Sequence, residues 1–392
     1  MIGPMWTTAA GGVLAFMLVA QTVHTAACES RNRTPTPTPT PIPGQPGDVV
    51  TTADGVRFQV ETVLDGLQVP WEIAFAPDGR LFVTERQGRV HIANLSAGSR
   101  VLALTMTDVF TQGEAGLLGM ALDPAFAQNG FVYLYYTAAT GGGAGAVNRI
   151  VRYREAGGQL AQPAVRLDGI PAASIHDGGR LRFGPDGLLY ATAGDANNTS
   201  LPQGVASLAG KFLRINPNGS TPAGNPFSSP VFSIGHRNPQ GFDWHPVSGD
   251  LWASEHGPIG NDEINVVDIG ANYGWPVIQG AQPMAGMRTP VVFFNPSIAP
   301  SGASFYRGNR FPPFVNDQFV ATLRGEHLLR LTVDTATRTV TAQERLLEGV
   351  FGRLRTVISG PDGYLYIATN NQDGRGSPQT GDDRVLRLVP AP

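Results

Sequence analysis

From residue 48 onward, short apolar runs alternate with turn residues, and one unit of this pattern recurs along the chain. Its clearest copy, residues 73–83 (IAFAPDGRLFV), consists of an apolar run, a Pro-Asp-Gly turn and a second apolar run. Residues 181–191 (LRFGPDGLLYA) and residues 357–368 (VISGPDGYLYIA) repeat it closely. Runs rich in Val, Ile, Phe, Tyr and Leu between Gly, Pro and Asp are typical of β-hairpins. The pattern therefore predicts an all-β domain with almost no helix.

The proline of this turn marks six copies of the unit, some of them with longer or degenerate turns. The six are Pro77, Pro124, Pro185, Pro246, Pro313 and Pro361. The steps between them are 47, 61, 61, 67 and 48 residues, and such a repeat in an all-β sequence indicates one propeller blade per unit. We therefore predict a six-bladed β-propeller with four-stranded antiparallel blades. A row of β-sandwiches is the alternative, which the regular use of one turn type disfavours.

The hairpins also predict where functional side chains gather. Two antiparallel strands joined at one end leave their free ends together at the other, around the mouth of the central channel. Polar residues at these free ends are Glu114, His176, Arg237, Arg353 and Arg355 before first strands, and Glu85, Asp195, Glu255, His256, Arg324, Asn370 and Asn371 after second strands. Charged residues at equivalent positions of several repeats predict a functional site on this face. We expect no comparable set on the face that carries the turns.

The N-terminal region differs in composition from the rest of the chain. Residues 9–20 (AAGGVLAFMLVA) form an apolar run too short to span a bilayer comfortably, and residues 25–27 (TAA) precede the single cysteine, Cys28. This order predicts an export signal of lipoprotein type in residues 1–27, with a lipidated Cys28 as a membrane tether. Cleavage after residue 27 that leaves Cys28 as a free thiol is the alternative.

A spacer is predicted between this signal and the folded domain. The run TPTPTPTP (residues 34–41) favours an extended, semi-rigid chain, so residues 28–47 are interpreted as a tether and residues 48–392 as the propeller. The protein is then exported to the periplasm or the cell surface. Its net charge of −3 argues against a broad basic surface, and we expect no nucleic-acid partner.

Four arginines, Arg237, Arg324, Arg353 and Arg355, converge on the channel mouth of the predicted fold. The guanidinium group binds carboxylates through a planar fork of donors, and several converging cations require an anion between them. The expected ligand is therefore small, flat and multiply carboxylated or phosphorylated. Pairing with Asp and Glu across the channel is the alternative for one or two of the four.

Two further segments carry candidate chemistry. His176 lies in residues 175–180 (IHDGGR), where the Gly pair allows a ligand to approach the backbone closely. A His can take a proton from an alcohol if a carboxylate orients it, and Asp195 lies on the same predicted blade and face. Residues 256–258 (HGP) and 261–263 (NDE) offer carbonyl and carboxylate oxygens of the kind that suits Ca²⁺.

Motifs along nearly the whole domain resemble those of a known enzyme family. They are residues 113–119 (GEAGLLG), 176–179 (HDGG), 194–195 (GD), 235–241 (GHRNPQG), 255–258 (EHGP), 262–265 (DEIN), 271–276 (ANYGWP) and 353–355 (RLR). Together they resemble the soluble glucose/sorbosone (aldose sugar) dehydrogenases that depend on pyrroloquinoline quinone (PQQ). The resemblance implies oxidation of an aldose sugar at C1 to a lactone, with PQQ and Ca²⁺ as cofactors and an external electron acceptor.

The resemblance also implies a role for each matching residue. His176 would remove the C1 hydroxyl proton while hydride passes to the quinone, Asp195 would orient His176, and Arg237 would polarise the quinone oxygen. The implied cofactor-binding residues are Glu114, Arg237, Asn238, Arg324, Arg353 and Arg355. Arg324 stands where glucose-oxidising members have Lys, and Glu114 stands where some members have Gln.

Two calcium sites are implied in the same way. The carbonyls of Gly257 and Pro258 would bind a Ca²⁺ that also ligates PQQ, and Glu263 and Tyr273 match a second, structural site. Because one fold hosts many functions, a calcium-dependent lactone hydrolase and a non-catalytic binding module stay open as alternatives. The sequence also leaves open the preferred sugar, the electron acceptor, and whether the protein is a monomer or a homodimer.

Overall fold

The computed structural model describes residues 48–141 and 145–392, together with Met1 and the two-residue strand Thr38–Pro39. The predicted export signal, the lipidation of Cys28 and most of the tether therefore lie outside the described residues. Contacts divide the chain into Met1–Thr34 and Pro35–Pro392, and the folded domain lies in the second unit. The described residues include no helix with the length and hydropathy of a membrane span.

The domain is a six-bladed β-propeller, as predicted. The chain begins with β1 (Thr38–Pro39), β2 (Val50–Thr51) and β3 (Arg57–Leu64). Blade 1 contains β4 (Pro70–Phe75), β5 (Leu81–Glu85), β6 (Arg89–Asn94) and β7 (Ser99–Thr105). Blade 2 contains β8 (Leu117–Leu122), β9 (Phe131–Thr140), β10 (Gly145–Ala156) and β11 (Gln159–Pro171), with the short helix α1 (Phe126–Asn129) in its first turn. Blade 3 contains β12 (Leu181–Phe183), β13 (Leu189–Ala193), β14 (Lys211–Ile215) and β15 (Val231–Ile234).

The remaining blades follow in chain order. Blade 4 contains β16 (Pro239–Trp244), β17 (Leu251–Glu255), β18 (Asp262–Val266) and β19 (Val292–Phe294). Blade 5 contains β20 (Pro300–Phe305), β21 (Gln318–Thr322), β22 (Leu328–Asp334) and β23 (Thr339–Leu346), with a 3₁₀ turn at Pro312–Phe314 and β1 paired in parallel on β23. Blade 6 contains β24 (Leu354–Ser359), β25 (Leu365–Thr369) and β26 (Val385–Pro390).

The ring is closed by strands from the two ends of the domain. The N-terminal β3 pairs antiparallel with the C-terminal β26 and so supplies the fourth strand of blade 6, while β2 pairs with β3. Next to this closure, Arg330 of β22 donates to both carboxylate oxygens of Asp54, at 3.0 and 2.9 Å, and to Asp317 at 2.6 Å. This ion-pair cluster holds the residues just before β3 on blade 5.

Burial follows the position of each strand in its blade. The second strands β5, β13, β17, β21 and β25 are buried along their whole length, because neighbouring blades cover both of their faces. The fourth strand of blade 1, β7, is mostly exposed. The predicted Pro-Asp-Gly turns join first and second strands, and Gly79, Gly187 and Gly363 adopt the positive φ that this turn requires.

A buried ion pair links first strands of different blades. The side chain of Arg180, which is fully buried, donates to Glu72 of β4, to the carbonyl of Gln240 of β16 at 2.8 Å, and to Thr356 of β24 at 3.2 Å. Its guanidinium carbon lies 4.1 Å from the ring centroid of Trp71. Arg180 thus bridges the first strands of blades 1, 4 and 6.

Candidate active site

The face opposite the turns gathers the predicted residues around two adjoining cavities. The larger, of about 340 Å³, is lined by four predicted cofactor-binding residues, Glu114, Arg324, Arg353 and Arg355. The smaller, of about 10 Å³, is lined by the predicted residues Arg237, Gly257, Pro258, Glu263 and Tyr273. His256 lines both cavities, so the two sets of predicted residues meet at its side chain.

His176 and Asp195 form a buried hydrogen-bonded pair that lines neither cavity but adjoins both: Asp177 and Gly178, next in the chain, line the larger, and Trp275, bonded to Asp195, lines the smaller. The Nδ1 atom of His176 lies 2.7 Å from Oδ1 of Asp195, and the two residues are 8% and 1% exposed. Because a carboxylate only accepts, Nδ1 carries the proton in the neutral ring, and the lone pair is then on Nε2. Asp195 is fixed by two further donors, the backbone N–H of Asn197 at 2.8 Å and the indole N–H of Trp275 at 2.9 Å.

Asn238 and Arg237 present donors that the protein leaves unused. Oδ1 of the fully buried Asn238 accepts from the N–H of Gly178 and the amide of Gln240, both at 3.1 Å, whereas its Nδ2 has no partner among the described residues. The Nη1 atom of Arg237 donates to the carbonyl of Gly257 at 2.7 Å, and its Nε is buried without a partner in the same set. Both side chains can therefore donate to an acceptor-rich ligand.

Arg353 and Arg355 differ in how their charges are compensated. Arg353 donates to Asp373 from Nε at 3.0 Å and from Nη2 at 2.7 Å, so its charge is paired inside the protein. Arg355 is 8% exposed and contacts the neutral side chains of Asn370 (3.0 Å), Gln240 (3.4 Å) and Ser301 (3.5 Å). Burial lowers the pKa of Arg355, as expected for a buried cation that has no anionic partner within hydrogen-bonding distance.

Several cavity residues were missed by the sequence reasoning. They are Trp71, Arg86, Asp177, Gln240, Asp373 and Arg375. Arg86 directly follows the second strand β5, so the rule for strand ends should have found it. Arg375 and Asp373 lie deeper in the loop after β25, where no sequence signal distinguishes them from solvated loop charges. Burial lowers the pKa of Arg86, whose nearest charged neighbours are Asp373, Arg375 and Glu114.

The face that carries the turns is also charged, so the prediction for that face was wrong. It opens into a concavity of about 1150 Å³, larger than the candidate site, with Arg182, Asp243, Arg307 and Arg310 in its lining. Arg307 donates twice to Asp243, at 2.6 and 3.0 Å, and Arg310 donates to the carbonyl of Asp362 at 3.2 Å. A scan of strand ends overlooked this set because Arg182 and Asp243 lie within β12 and β16.

Comparison with known proteins identifies the family. The family model described as Glucose / Sorbosone dehydrogenase matches residues 67–380. The chain belongs to the glucose/sorbosone dehydrogenase family. The family resemblance predicted from the motifs is thereby confirmed.

Three family members show how far the similarity extends. The aldose sugar dehydrogenase YliI of Escherichia coli K12 is 33% identical over 340 residues, 80% of this chain and 91% of that protein. Quinoprotein glucose dehydrogenase B of Acinetobacter calcoaceticus is 26% identical over 436 residues, 87% of this chain and 90% of that protein. The PQQ-bound structure of the Streptomyces coelicolor aldose sugar dehydrogenase is 39% identical, with a TM-score of 0.77, and the match covers 85% of this chain and 98% of that one.

The larger cavity of this glucose/sorbosone dehydrogenase family member fits a flat tricarboxylate. Its volume of about 340 Å³ lies in the ordinary range of small-molecule sites, about 300–1,000 Å³. Arg355 supplies a buried charge without a carboxylate partner within hydrogen-bonding distance, and Asn238 supplies a buried amide donor without a partner among the described residues. Both features call for an anionic, acceptor-rich ligand.

The smaller cavity fits a single cation. Its volume of about 10 Å³ holds roughly one ion or water molecule. Its lining offers the carbonyls of Gly257 and Pro258 and the carboxylate of Glu263, all hard oxygen ligands. Burial and then the charge of Glu255 raise the pKa of Glu263 to about 8. No group of three or more His, Cys, Asp or Glu side chains in the described part of the chain is arranged to hold a metal, so such a site depends on carbonyls.

Tyr273 contributes differently from Glu263. Its hydroxyl donates to the carbonyl of Val266 at 2.6 Å and accepts from the N–H of Asp268 at 2.8 Å, while its ring stacks on His236 at 4.6 Å. The hydroxyl is therefore already hydrogen-bonded, which leaves the backbone carbonyl of Tyr273 as its candidate metal ligand.

Proposed function

We propose that the protein is a PQQ-dependent aldose sugar dehydrogenase that oxidises the C1 hydroxyl of a sugar to the lactone and passes the electrons to an external acceptor. The observation that carries the proposal is that two features lie close to one pair of cavities, one in the lining and one directly behind it. One is the His176–Asp195 pair, and the other is the buried, uncompensated charge of Arg355. Family membership and the PQQ-bound structure of the Streptomyces coelicolor relative support it.

His176 is the proposed general base. Its Nδ1–H is held by Asp195, so Nε2 is the atom that takes the C1 hydroxyl proton. The Asp195 carboxylate fixes the tautomer and stabilises the imidazolium that forms. His176 has a φ of 64° and donates its backbone N–H to Glu114 at 3.2 Å, so its main chain is held together with its ring.

The remaining residues bind and orient. Arg324, Arg353 and Arg355 would hold the carboxylates of PQQ in the larger cavity, which Glu114 also lines. Asn238 and Arg237, whose Nδ2 and Nε lack partners within the described residues, would donate to its polar atoms. The chemistry that PQQ supplies when bound is the acceptance of a hydride from C1. Arg237 would stabilise the negative charge that develops there.

We also propose two calcium sites. The carbonyls of Gly257 and Pro258 would hold one ion next to the cofactor, where it would act as a Lewis acid. Glu263 and the carbonyl of Tyr273 would hold the second, but all four residues line the one cavity of about 10 Å³, so only one of the two sites can be filled in the described conformation. In the present structure the Gly257 carbonyl accepts from Arg237, so cation binding there requires this guanidinium to release it.

Export belongs to the same proposal. The predicted signal and lipid tether, with the propeller at residues 48–392, would place the enzyme in the periplasm or at the cell surface, where an external acceptor takes its electrons. The partner set is then an aldose sugar and that acceptor, without nucleic acid, and with the protein as a monomer or a homodimer. Labelling with radioactive palmitate, compared with a Cys28→Ser variant, tests the lipid anchor.

The test of function is sugar-dependent reduction of an artificial electron-accepting dye by the protein supplied with PQQ and Ca²⁺. Activity that needs both additions is the expected result, and a panel of sugars then ranks substrates. His176→Gln should abolish turnover while PQQ still binds. PQQ binding without turnover on any sugar would disprove the proposed reaction, and failure to bind PQQ would favour the binding-module alternative.

A further inference from the structure

Asp195 is held from two sides, and only one of them is His176. Its Oδ1 accepts from Nδ1 of His176 at 2.7 Å and from the N–H of Asn197 at 2.8 Å. Its Oδ2 accepts from the indole N–H of Trp275 at 2.9 Å. Asp195 is 1% exposed, so water cannot readily replace that indole donor.

The indole is itself held by the loop that carries it. The backbone N–H of Trp275 donates to the carbonyl of Gly235 at 2.9 Å, and its own carbonyl accepts from Gln203 Nε2 at 2.8 Å. Gln203 also exchanges two hydrogen bonds with Asn272, at 2.7 and 3.1 Å. Hydrogen bonds therefore hold both the backbone N–H and the carbonyl of Trp275, and this fixed backbone positions the indole N–H against Asp195.

The same ring supports the proposed electrophilic arginine. The guanidinium carbon of Arg237 lies 5.4 Å from the ring centroid of Trp275, within cation–π range. The backbone carbonyl of Arg237 accepts the N–H of Asp195 at 2.7 Å. One aromatic side chain thus touches both the carboxylate behind the base and the guanidinium.

We infer that Trp275 is a positioning residue for the sugar oxidation: its indole N–H fixes Asp195 and tunes the proton affinity of His176, and its ring holds Arg237 in place. The inference rests on the proposed function for its link to turnover. Its physical basis is that an indole N–H spreads the charge of the Asp195 carboxylate over a second hydrogen bond. Without that donor, the carboxylate attracts a proton on His176 more strongly.

Four charged groups near His176 also influence its proton affinity. They are Asp195 behind the ring, Glu114 on its backbone N–H, Asp177 next to it in the chain, and Arg237 on the other side of Asp195. Trp275→Phe removes the indole N–H together with the five-membered ring that carries it, and keeps a six-membered aromatic ring that can face Arg237. A change in His176 titration that the same substitution elsewhere does not cause is therefore assigned to the lost hydrogen bond to Asp195.

The first experiment uses the full chain without PQQ. Histidine ¹⁵N resonances are followed against pH in wild type and Trp275→Phe, with the His176 signal assigned by its loss in His176→Gln. The matched control is Trp244→Phe, the same change at the turn face, where Trp244 packs edge-on against Tyr190 at 5.0 Å. We expect the His176 midpoint to rise by about half a pH unit or more in Trp275→Phe and to stay constant in the control. An unchanged midpoint in Trp275→Phe overturns the inference.

The second experiment measures turnover with PQQ, Ca²⁺ and sugar. Below the His176 midpoint, Trp275→Phe should lower kcat about threefold with little change in KM, because a half-unit rise leaves about a third as much neutral base. The acidic limb of its pH profile should move upward with the His176 midpoint. A fall in kcat with an unmoved limb would indicate mere structural damage and would overturn the inference. If the wild type itself is inactive, the proposed function fails, while the titration without PQQ still decides what Trp275 does to His176.

A wild-type measurement covers the case in which Trp275→Phe does not fold. One of the five tryptophan indole N–H resonances should shift with the same midpoint as His176, and this shift should vanish in His176→Gln. The absence of such a resonance would show that no indole senses the Asp195–His176 pair and would overturn the inference.

Discussion

Glu114 and Arg375, 261 positions apart in the chain, form a 2.8 Å ion pair at the mouth of the larger cavity. The same carboxylate accepts the backbone N–H of His176, so it links the rim of the cavity to the proposed base. Burial alone would raise the pKa of Glu114, but the interaction with His256, the Arg375 hydrogen bond and the His176 N–H together lower it. Pairing with Arg375 thus explains how a carboxylate can stand beside a site for an anionic ligand.

The first prediction concerns this pair. Glu114→Gln should tighten PQQ binding about fivefold, because it removes a negative charge and frees Arg375 to face the ligand. Arg375→Gln should weaken binding by a similar factor, and both effects should shrink at high salt. Titration of the protein with PQQ, followed by tryptophan fluorescence, measures them. Equal affinities in wild type and both variants would show that the ion pair does not influence the ligand.

The second prediction separates the two arginines of the RLR motif. Arg355→Met should leave the PQQ-free protein as stable as wild type or more stable, because it removes a buried charge without an anionic partner. Arg353→Met should destabilise it by about 3 kcal/mol, because Asp373 is then left buried and unpaired. Urea unfolding without PQQ checks both, and equal losses in the two variants would contradict the contrast.

The effect of Arg355→Met on PQQ binding should be the opposite of its effect on stability. Arg355→Met should lose about 100-fold or more in PQQ affinity. The substitution removes the buried guanidinium that would pair with a carboxylate of PQQ. Titration with PQQ under the conditions used for the unfolding series measures this loss. Near-normal affinity in Arg355→Met would assign the arginine a structural role.

The third prediction is a pH dependence at Asp177. Burial raises the pKa of Asp177 to about 6 from 3.8, although Asn148 Nδ2 (2.9 Å) and the Ala173 N–H (3.2 Å) oppose the rise. A carboxyl with a raised pKa stabilises the fold fully below its unfolded value, and this contribution is lost as pH rises through about 6. Asp177→Asn should flatten the fall in unfolding free energy between pH 4 and 7 by at most about 3 kcal/mol.

Chemical unfolding at several pH values tests this prediction. The control is Asp168→Asn in β11 of the preceding blade, whose carboxylate is 47% exposed and pairs with Arg149 at the surface. We expect the control to keep the wild-type pH slope. If the unfolding free energy changes with pH in the same way in wild type and Asp177→Asn, the pKa of Asp177 is not raised in the folded protein and the prediction is wrong.

The fourth prediction concerns ring closure. Arg330→Met should destabilise the propeller by about 3–5 kcal/mol, because it leaves the buried carboxylates of Asp317 and Glu344 without their cation and releases Asp54. The matched control is Arg387→Met, since Arg387 also pairs with an N-terminal carboxylate, Glu61, but at the surface. The control should change the unfolding free energy by about 1 kcal/mol or less. Equal losses would show that the Arg330 cluster does not hold the closure.

The sequence alone determined the blades and the functional face. A hairpin is specified within about ten residues by two apolar runs and a turn between them. Three copies could therefore be identified by their Pro-Asp-Gly turns, and three by a turn proline at similar spacing, without any structure. The antiparallel geometry then assigned Glu114, Arg324, Arg353 and Arg355 to one end of the channel, where the structure brings them together. His176 and Asp195 could be paired because both lie at strand ends of one blade.

Only the tertiary structure decided how distant segments meet. The pairing of β3 with β26, the Arg180–Glu72 pair, the Glu114–Arg375 pair and the Trp275–Asp195 hydrogen bond all join parts of the chain that periodicity cannot relate. Each depends on the path of a loop or on the angle between blades, and these follow from packing of the whole ring. Strand period and turn chemistry act over a few residues and therefore fix which face a residue occupies, but not which partner it meets there.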